Sequence, residues 1–297
     1  MSLDLYSRRK YRHKKFVYLL DDEEKTAWIV QGHIGRGKRY RIPEFVMVDG
    51  ERYSIESVEI GAFNHPRTLR HLVVPDSIEY VDGDVFHNLS NLRSVYIGKG
   101  VKYLNQWNFR LCPNLRIYHI DQQNPYLKQQ NGMILTKDGK TLLAGFADRQ
   151  HITIPEGVEE IEDVAFWYHK KLETVSFSKT LRKIGGCCFD GCPNLRDVVL
   201  PEGFEKLMIQ SFMENPGLRH VDLPSTLTEL GWENFVDCPN LKTVILRSPK
   251  KLDFNRNFGA HFQSLPMKDP CLYVPAELVG QYREDPEWQM FKRILPI

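Results

Sequence analysis

Phenylalanine recurs at positions 63, 86, 109, 166, 189, 212, 235 and 258, with gaps of 23, 23, 57, 23, 23, 23 and 23 residues. Because 57 is 23 plus 34, one unit is stretched to 34 residues while the others keep the period. Leucines at 69, 92, 115, 172, 195, 218 and 241 hold the same frame. Such a period constrains the fold more than composition does. A unit of this size cannot bury its own apolar face, whereas stacked copies share one core.

The unit from Leu69 to Asn91 reads LRHLVVPDSIEYVDGDVFHNLSN. Its Leu72/Val74 pair has the period of a short strand with both side chains inward. Val95/Ile97, Val175/Phe177, Val198/Leu200, Val221/Leu223 and Val244/Leu246 repeat it. Proline often follows, at 75, 155, 201 and 224, and ends the strand because it lacks an N–H. A second apolar pair, Ile78/Val81 here, builds the opposite wall, and a small residue followed by the ladder phenylalanine fills the layer between.

LRSVYIGKGVKYLNQWNFRLCPN (92–114), LETVSFSKTLRKIGGCCFDGCPN (172–194) and LRHVDLPSTLTELGWENFVDCPN (218–240) resemble the BspA-type leucine-rich repeats of bacterial and some protozoan proteins. The resemblance covers about residues 40 to 297. It implies a right-handed leucine-rich-repeat solenoid that binds proteins or adheres rather than catalyses. The expected fold class is therefore a β-rich solenoid with minor α content. Its expected parts are a basic tail (1–15), a hairpin cap (16–48), repeats (49–263, stretched at 115–148) and a C-terminal strand with a short helical cap (264–297). In the cap, Trp288, Met290, Phe291 and Ile294 are expected to fold back as an apolar lid. Within the stretched unit, Asp138-Gly139 between apolar runs predicts a hairpin.

Charge and motifs exclude several functions. Forty Lys+Arg against 38 Asp+Glu leave a net charge of +2, so no nucleic-acid partner is expected. The longest apolar run is Phe16 to Leu20, which excludes a membrane-spanning helix. Neither an H-E-x-x-H nor a G-x4-G-K-[ST] pattern occurs, and GHIGRGK reads as a turn. CCFDGC lacks paired C-x2-C knuckles. The repeat frame places Cys188 in the small slot and Cys112, Cys192 and Cys238 in one turn slot, as core thiols too far apart for disulfides. No catalytic residue, metal ligand or cofactor is therefore assigned. Unpaired thiols and the lack of a secretory signal point to the cytoplasm, with a surface or secreted location as the alternative. The run RRKYRHKK, Arg8 to Lys15, reads as a solvated tail that could meet an acidic partner or membrane surface.

Strand alternation assigns the outward slots. One column holds His71, Ser94, Ile117, His151, Thr174, Asp197, His220 and Thr243, and the other Val73, Tyr96, His119, Thr153, Ser176, Val199, Asp222 and Ile245. A protein partner is expected on this strand face, with Tyr96, Ile117, His119, His71, His151, Thr153 and Asp222 as contacts. The main expectation is a cytoplasmic binding scaffold, and the alternative is a surface or secreted adhesin or host-interaction module.

Overall fold

The computed structural model describes residues 8–34, 37–60, 62–63, 67–145, 149–252 and 270–297. Phe258 lies outside them. The chain forms two compact units, Met1–Lys137 and Asp138–Ile297. Each is built of right-handed coils of the leucine-rich-repeat kind.

Unit 1 contains β1 (Arg9–His13), β2 (Phe16–Asp21), β3 (Thr26–Gly32), β4 (Arg39–Arg41), β5 (Phe45–Val48), β6 (Glu51–Val58), β7 (His71–Val74), β8 (Tyr80–Val81), β9 (Ser94–Ile97), β10 (Ile117–Ile120), β11 (Leu127–Gln130) and β12 (Met133–Thr136). β1, β2 and β3 pair antiparallel. β3 then runs parallel to β6, which pairs with β5 on one side and continues into the second wall through β8. β4, β7, β9 and β10 form a parallel sheet, the strand face of this unit.

One expectation needs correction here. Residues 9–13 are not a solvated tail but an edge strand, with Tyr11 opposite Tyr18. Ionic contacts reinforce the backbone pairing: Arg9 binds Asp22 with two bonds of 2.9 Å, and the Arg8 guanidinium lies 3.9 Å from the Trp28 ring centroid. The stretched unit also contains a hairpin the sequence reading passed over. β11 and β12 pair antiparallel around Asn131-Gly132, whose φ values of 51° and 80° suit a tight two-residue turn. The buried Asn124 anchors this segment. Its amide donates to the carbonyls of Gly98 and Val101, each at 2.9 Å, and its oxygen accepts from the N–H groups of Tyr126 and Leu127. Asp138-Gly139 sits where the chain passes from unit 1 to unit 2.

Unit 2 contains β13 (Thr141–Ala144), β14 (His151–Thr153), β15 (Glu160–Ile161), β16 (Thr174–Ser176), β17 (Lys183–Ile184), β18 (Asp197–Val199), β19 (Lys206–Leu207), β20 (His220–Leu223), β21 (Glu229–Leu230), β22 (Thr243–Leu246), β23 (Cys271–Val274), α1 (Val279–Glu284) and β24 (Arg293–Pro296). β13, β15, β17, β19 and β21 stack in parallel as the second wall. The strand face is a two-stranded sheet, β14–β16, and a five-stranded sheet ending in β23 and β24. Beyond Cys271–Val274 the chain returns through α1 and adds β24 in parallel. Trp288, Phe291 and Ile294 are buried in this cap, with the Tyr282 and Trp288 rings 4.8 Å apart edge to face, while Met290 is half-buried.

The phenylalanine ladder forms the core of each unit. Phe63, Phe86 and Phe109 stack at 6.0 and 5.7 Å in unit 1; Phe166, Phe189, Phe212 and Phe235 stack at 5.0, 5.2 and 6.1 Å in unit 2. A buried Phe contributes about 1.5–3 kcal/mol of transfer energy, and ring packing adds about 0.5–1.5 kcal/mol per pair. In unit 1 the ladder begins edge to face against Phe16 and ends edge to face against Tyr118.

Each coil turns its corners with left-handed residues that are mostly not glycine. Asp84, Val164, Cys187, Gln210 and Glu233 share one such position, at φ between 50° and 61°. Asn88, Leu111, Tyr168, Glu214 and Asp237 share the other. This accounts for Cys187: its slot is a corner whose N–H bonds the Ile209 carbonyl of the next coil.

Candidate partner-binding surfaces

Parallel register places the outward strand residues of each unit. In unit 1 the columns read Arg39, His71, Ser94, Ile117 and Arg41, Val73, Tyr96, His119. Tyr96 and His119 are therefore direct cross-strand neighbours, and Ile117, 45% exposed, shares the strand with His119. Tyr96 is half-buried and donates to the Asp121 carboxylate at 2.6 Å. That bond, followed by burial, pushes its phenol up to about 12. His71 bonds Ser94 through Nδ1 at 2.8 Å. In unit 2, His151 makes the same bond to Thr174, while Thr153 stands exposed beside it on β14. Asp222, on the five-stranded sheet, is held by two 2.8 Å bonds from Arg247. Thus Tyr96, Ile117, His119 and His71 share one sheet, whereas His151/Thr153 and Asp222 lie on two different sheets of unit 2.

The second wall of unit 1 carries a surface that the strand columns left out. Tyr80, Tyr103 and Tyr126 follow one another at the 23-residue period and are 50%, 46% and 44% exposed. The frame is fixed from below: Val81, Leu104 and Leu127, one residue after each tyrosine, are all buried. Ile60 and Trp107 join the surface, and a groove of about 310 Å³ runs between Ile60, Asp82, Tyr103, Asn105 and Trp107. Lys102 spans two coils, with its ammonium 2.6 Å from Glu79 and 4.9 Å from the Tyr80 ring centroid. The signal was in the sequence, as three tyrosines on the repeat period outside the strand slots.

In unit 2 the same slot holds Glu160, Lys183, Lys206 and Glu229, in direct parallel register. Lys183 meets Glu160 at 2.5 Å, and Lys206 meets Glu229 at 3.5 Å. A separate groove of about 410 Å³ follows the corners of unit 2, where the Tyr168 hydroxyl bridges to Glu214 at 3.0 Å. The glycine between them is required: a Cβ on Gly191, at φ 66°, would stand 2.8 Å from the Tyr168 ring.

Three of the cysteines clip the corners. The thiols of Cys112, Cys192 and Cys238 donate to the ladder carbonyls of Phe86, Phe166 and Phe212 at 3.1, 3.3 and 3.3 Å. Asn215, in the same slot, donates to the Phe189 carbonyl at 2.9 Å. Burial pushes the Cys112 and Cys238 thiols up to about 12 and those of Cys188 and Cys192 well above the ordinary value. Among the described residues no group of three or more His, Cys, Asp or Glu side chains is placed to hold a metal, and no helix is long and apolar enough to cross a membrane.

The model of the BspA-type leucine-rich repeat region matches residues 51–131 and 142–257. Among functionally curated proteins none matches significantly. The crystal structure of the pneumococcal vaccine antigen PcpA aligns at 14% identity over 97% of this chain and 98% of that one, with a TM-score of 0.61. A leucine-rich repeat protein from Bacteroides ovatus aligns at 17% identity over 97% of this chain and 76% of that one, with a TM-score of 0.56. At these identities the likeness establishes the fold. These comparisons overturn the cytoplasmic expectation, since a vaccine antigen shares this architecture. The premise fails physically as well. A thiol held protonated in a core is a poor nucleophile and stays unpaired in any compartment, so free cysteines here do not report on redox environment.

Proposed function

We propose that this chain, which belongs to the BspA-type leucine-rich-repeat family, is a surface or secreted adhesin or host-interaction module that holds a protein partner on unit 1. As a member of that family it is a non-catalytic binding protein. The observation that carries the proposal is the tyrosine column Tyr80, Tyr103 and Tyr126, exposed on consecutive coils. Interfaces draw most of their energy from a few tyrosine, tryptophan and arginine side chains. Solvation alone gives no reason to repeat an exposed ring three times. The location rests on the shared architecture with a vaccine antigen.

A second reading places the partner on the strand face at Tyr96, Ile117 and His119, favoured by the exposed Ile117 beside His119. The lower exposure of Tyr96, which is half-buried where Tyr80 and Tyr103 are exposed, weakens it. Both readings are testable in the native cell. Antibody against the chain should label intact cells or the medium, and labelling only after permeabilisation would sink the surface assignment. A photo-crosslinking residue at position 103 should capture a partner protein more efficiently than one at position 96. The reverse ranking would move the interface to the strand face.

A further inference from the structure

We infer that the N-terminal cap of unit 1 carries a separate docking groove for an acidic polypeptide segment bearing apolar side chains. On β5, Val46 and Val48 are buried while Phe45 and Met47 point outward, 44% and 46% exposed. An edge strand with an apolar outward face is uncommon in a chain that works alone, because it invites association. These two side chains, with Phe16 and Tyr40, line a groove of about 410 Å³. Lys14, Lys15 and Arg41 form its rim.

The charges on this rim select the occupant. Lys14 and Lys15 make the turn between β1 and β2, Lys14 at φ 52°, and both are exposed. Arg52 pairs across the strands with Met47, and its guanidinium lies 4.2 Å from the Phe45 ring centroid. Among the described residues no carboxylate lies within ion-pair distance of Lys14, Lys15 or Arg52. Only Arg41 is compensated, by Glu44. Three uncompensated cations around an apolar floor attract an anionic partner and reward one that also fills the floor. A concave groove with a ring at its edge suits a peptide with aromatic or aliphatic anchors. This inference does not rest on the tyrosine column, which belongs to the second wall.

The test uses the full chain and two fluorescein-labelled peptides, one alternating Glu with Phe and one alternating Glu with Ser, read by anisotropy. The Glu–Phe peptide should bind, weaken with added salt, and exceed the Glu–Ser peptide by roughly ten-fold or more, the scale of a lost apolar anchor. Lys14→Glu with Lys15→Glu, and separately Phe45→Ser with Met47→Ser, should each weaken it by roughly ten-fold or more. Tyr80→Ala with Tyr103→Ala should leave it unchanged, which separates failure here from failure of the proposed function. Equal binding of the two peptides, no binding of the Glu–Phe peptide, or full retention by either groove variant overturns the inference. So does binding to phosphatidylserine vesicles that the Glu–Phe peptide fails to displace.

Discussion

Tyr80 and Glu160 occupy the same place in their coils, each on a two-residue strand just before a buried apolar residue, Val81 or Ile161. From that shared position the two units diverge. Unit 1 continues with Tyr103 and Tyr126, exposed rings on successive coils. Unit 2 continues with Lys183, Lys206 and Glu229, knitted into ion pairs across the coils. The inward slots are bound by stacking and volume, so both units keep the phenylalanine ladder. The outward slots answer only to solvent and partners, and there one repeat produced two different surfaces. Paired charges satisfy themselves and present little to a visitor, whereas a column of phenol rings retains apolar area to be covered.

The largest effect should fall on what the units share. Phe86→Ala in unit 1 and Phe212→Ala in unit 2 should each cost about 3–5 kcal/mol in denaturant unfolding, from lost transfer energy and a cavity. A loss below about 1 kcal/mol at either site would show that the ladder is not common to both units. Next come the divergent slots. Tyr80→Ala with Tyr103→Ala should weaken partner binding by about 2 kcal/mol or more while melting barely moves. Lys183→Ala with Lys206→Ala should leave binding intact and change stability by no more than about 1 kcal/mol. Tyr96→Ala with His119→Ala completes the set. If it costs more binding than the Tyr80/Tyr103 variant, the contrast between the second walls is not the functional one.

A smaller effect separates the units by pH. After the ladder phenylalanine, unit 1 places Arg110, paired with Asp84 at 3.0 Å. Unit 2 places Asp190, half-buried and hydrogen-bonded to the Trp167 indole at 3.0 Å. Burial pushes the Asp190 carboxyl from the usual 3.8 up to about 6. A carboxyl raised on folding contributes stability that is fully present below the unfolded value and lost as pH rises through the folded one. Asp190→Asn should therefore raise the melting temperature at pH 7 and flatten the slope between about pH 4 and 6. An unchanged slope would assign that titration elsewhere. Smallest of all, reductant should leave the melting temperature unchanged, since all six cysteines are unpaired thiols. A fall on reduction would contradict the corner role of Cys112, Cys192 and Cys238.

The fold was legible wherever a slot had one chemical demand. Phe189 and Leu195 announce their places because nothing else fills them. The corners were hidden because Val164, Gln210 and Glu233 carry no signature of a left-handed backbone, and the carbonyls of Gly186 and Trp232 in the next coil hold Val164 and Gln210 there. Arg9–His13 looked like a tail because its charge masked an alternation that pairs with Phe16–Asp21. The tyrosine column was missed although it keeps the period, because outward residues were sought only on the strands marked by an alternating pair of inward apolar residues. The strand that carries Tyr80 is two residues long and has no such marker.

Along each unit the asparagine and cysteine clips of the turn slots run backward along the chain. Asn91 and Asn114 donate to the carbonyls of Arg67 and Ser90 at 2.6 and 2.7 Å, and Asn194 and Asn240 do the same to Lys170 and Pro216. The Cys112, Cys192 and Cys238 thiols reach back in the same sense. In these clips the donor belongs to the later coil and the acceptor to the earlier one. The corner N–H groups run the other way: those of Val164, Cys187 and Gln210 donate to the carbonyls of Gly186, Ile209 and Trp232 in the following coil. A carbonyl left waiting keeps water as a partner at little cost, whereas a stranded donor is penalised more. A coil that loses its successor therefore strands its corner donors, and each coil is stapled to both neighbours by groups of opposite kind.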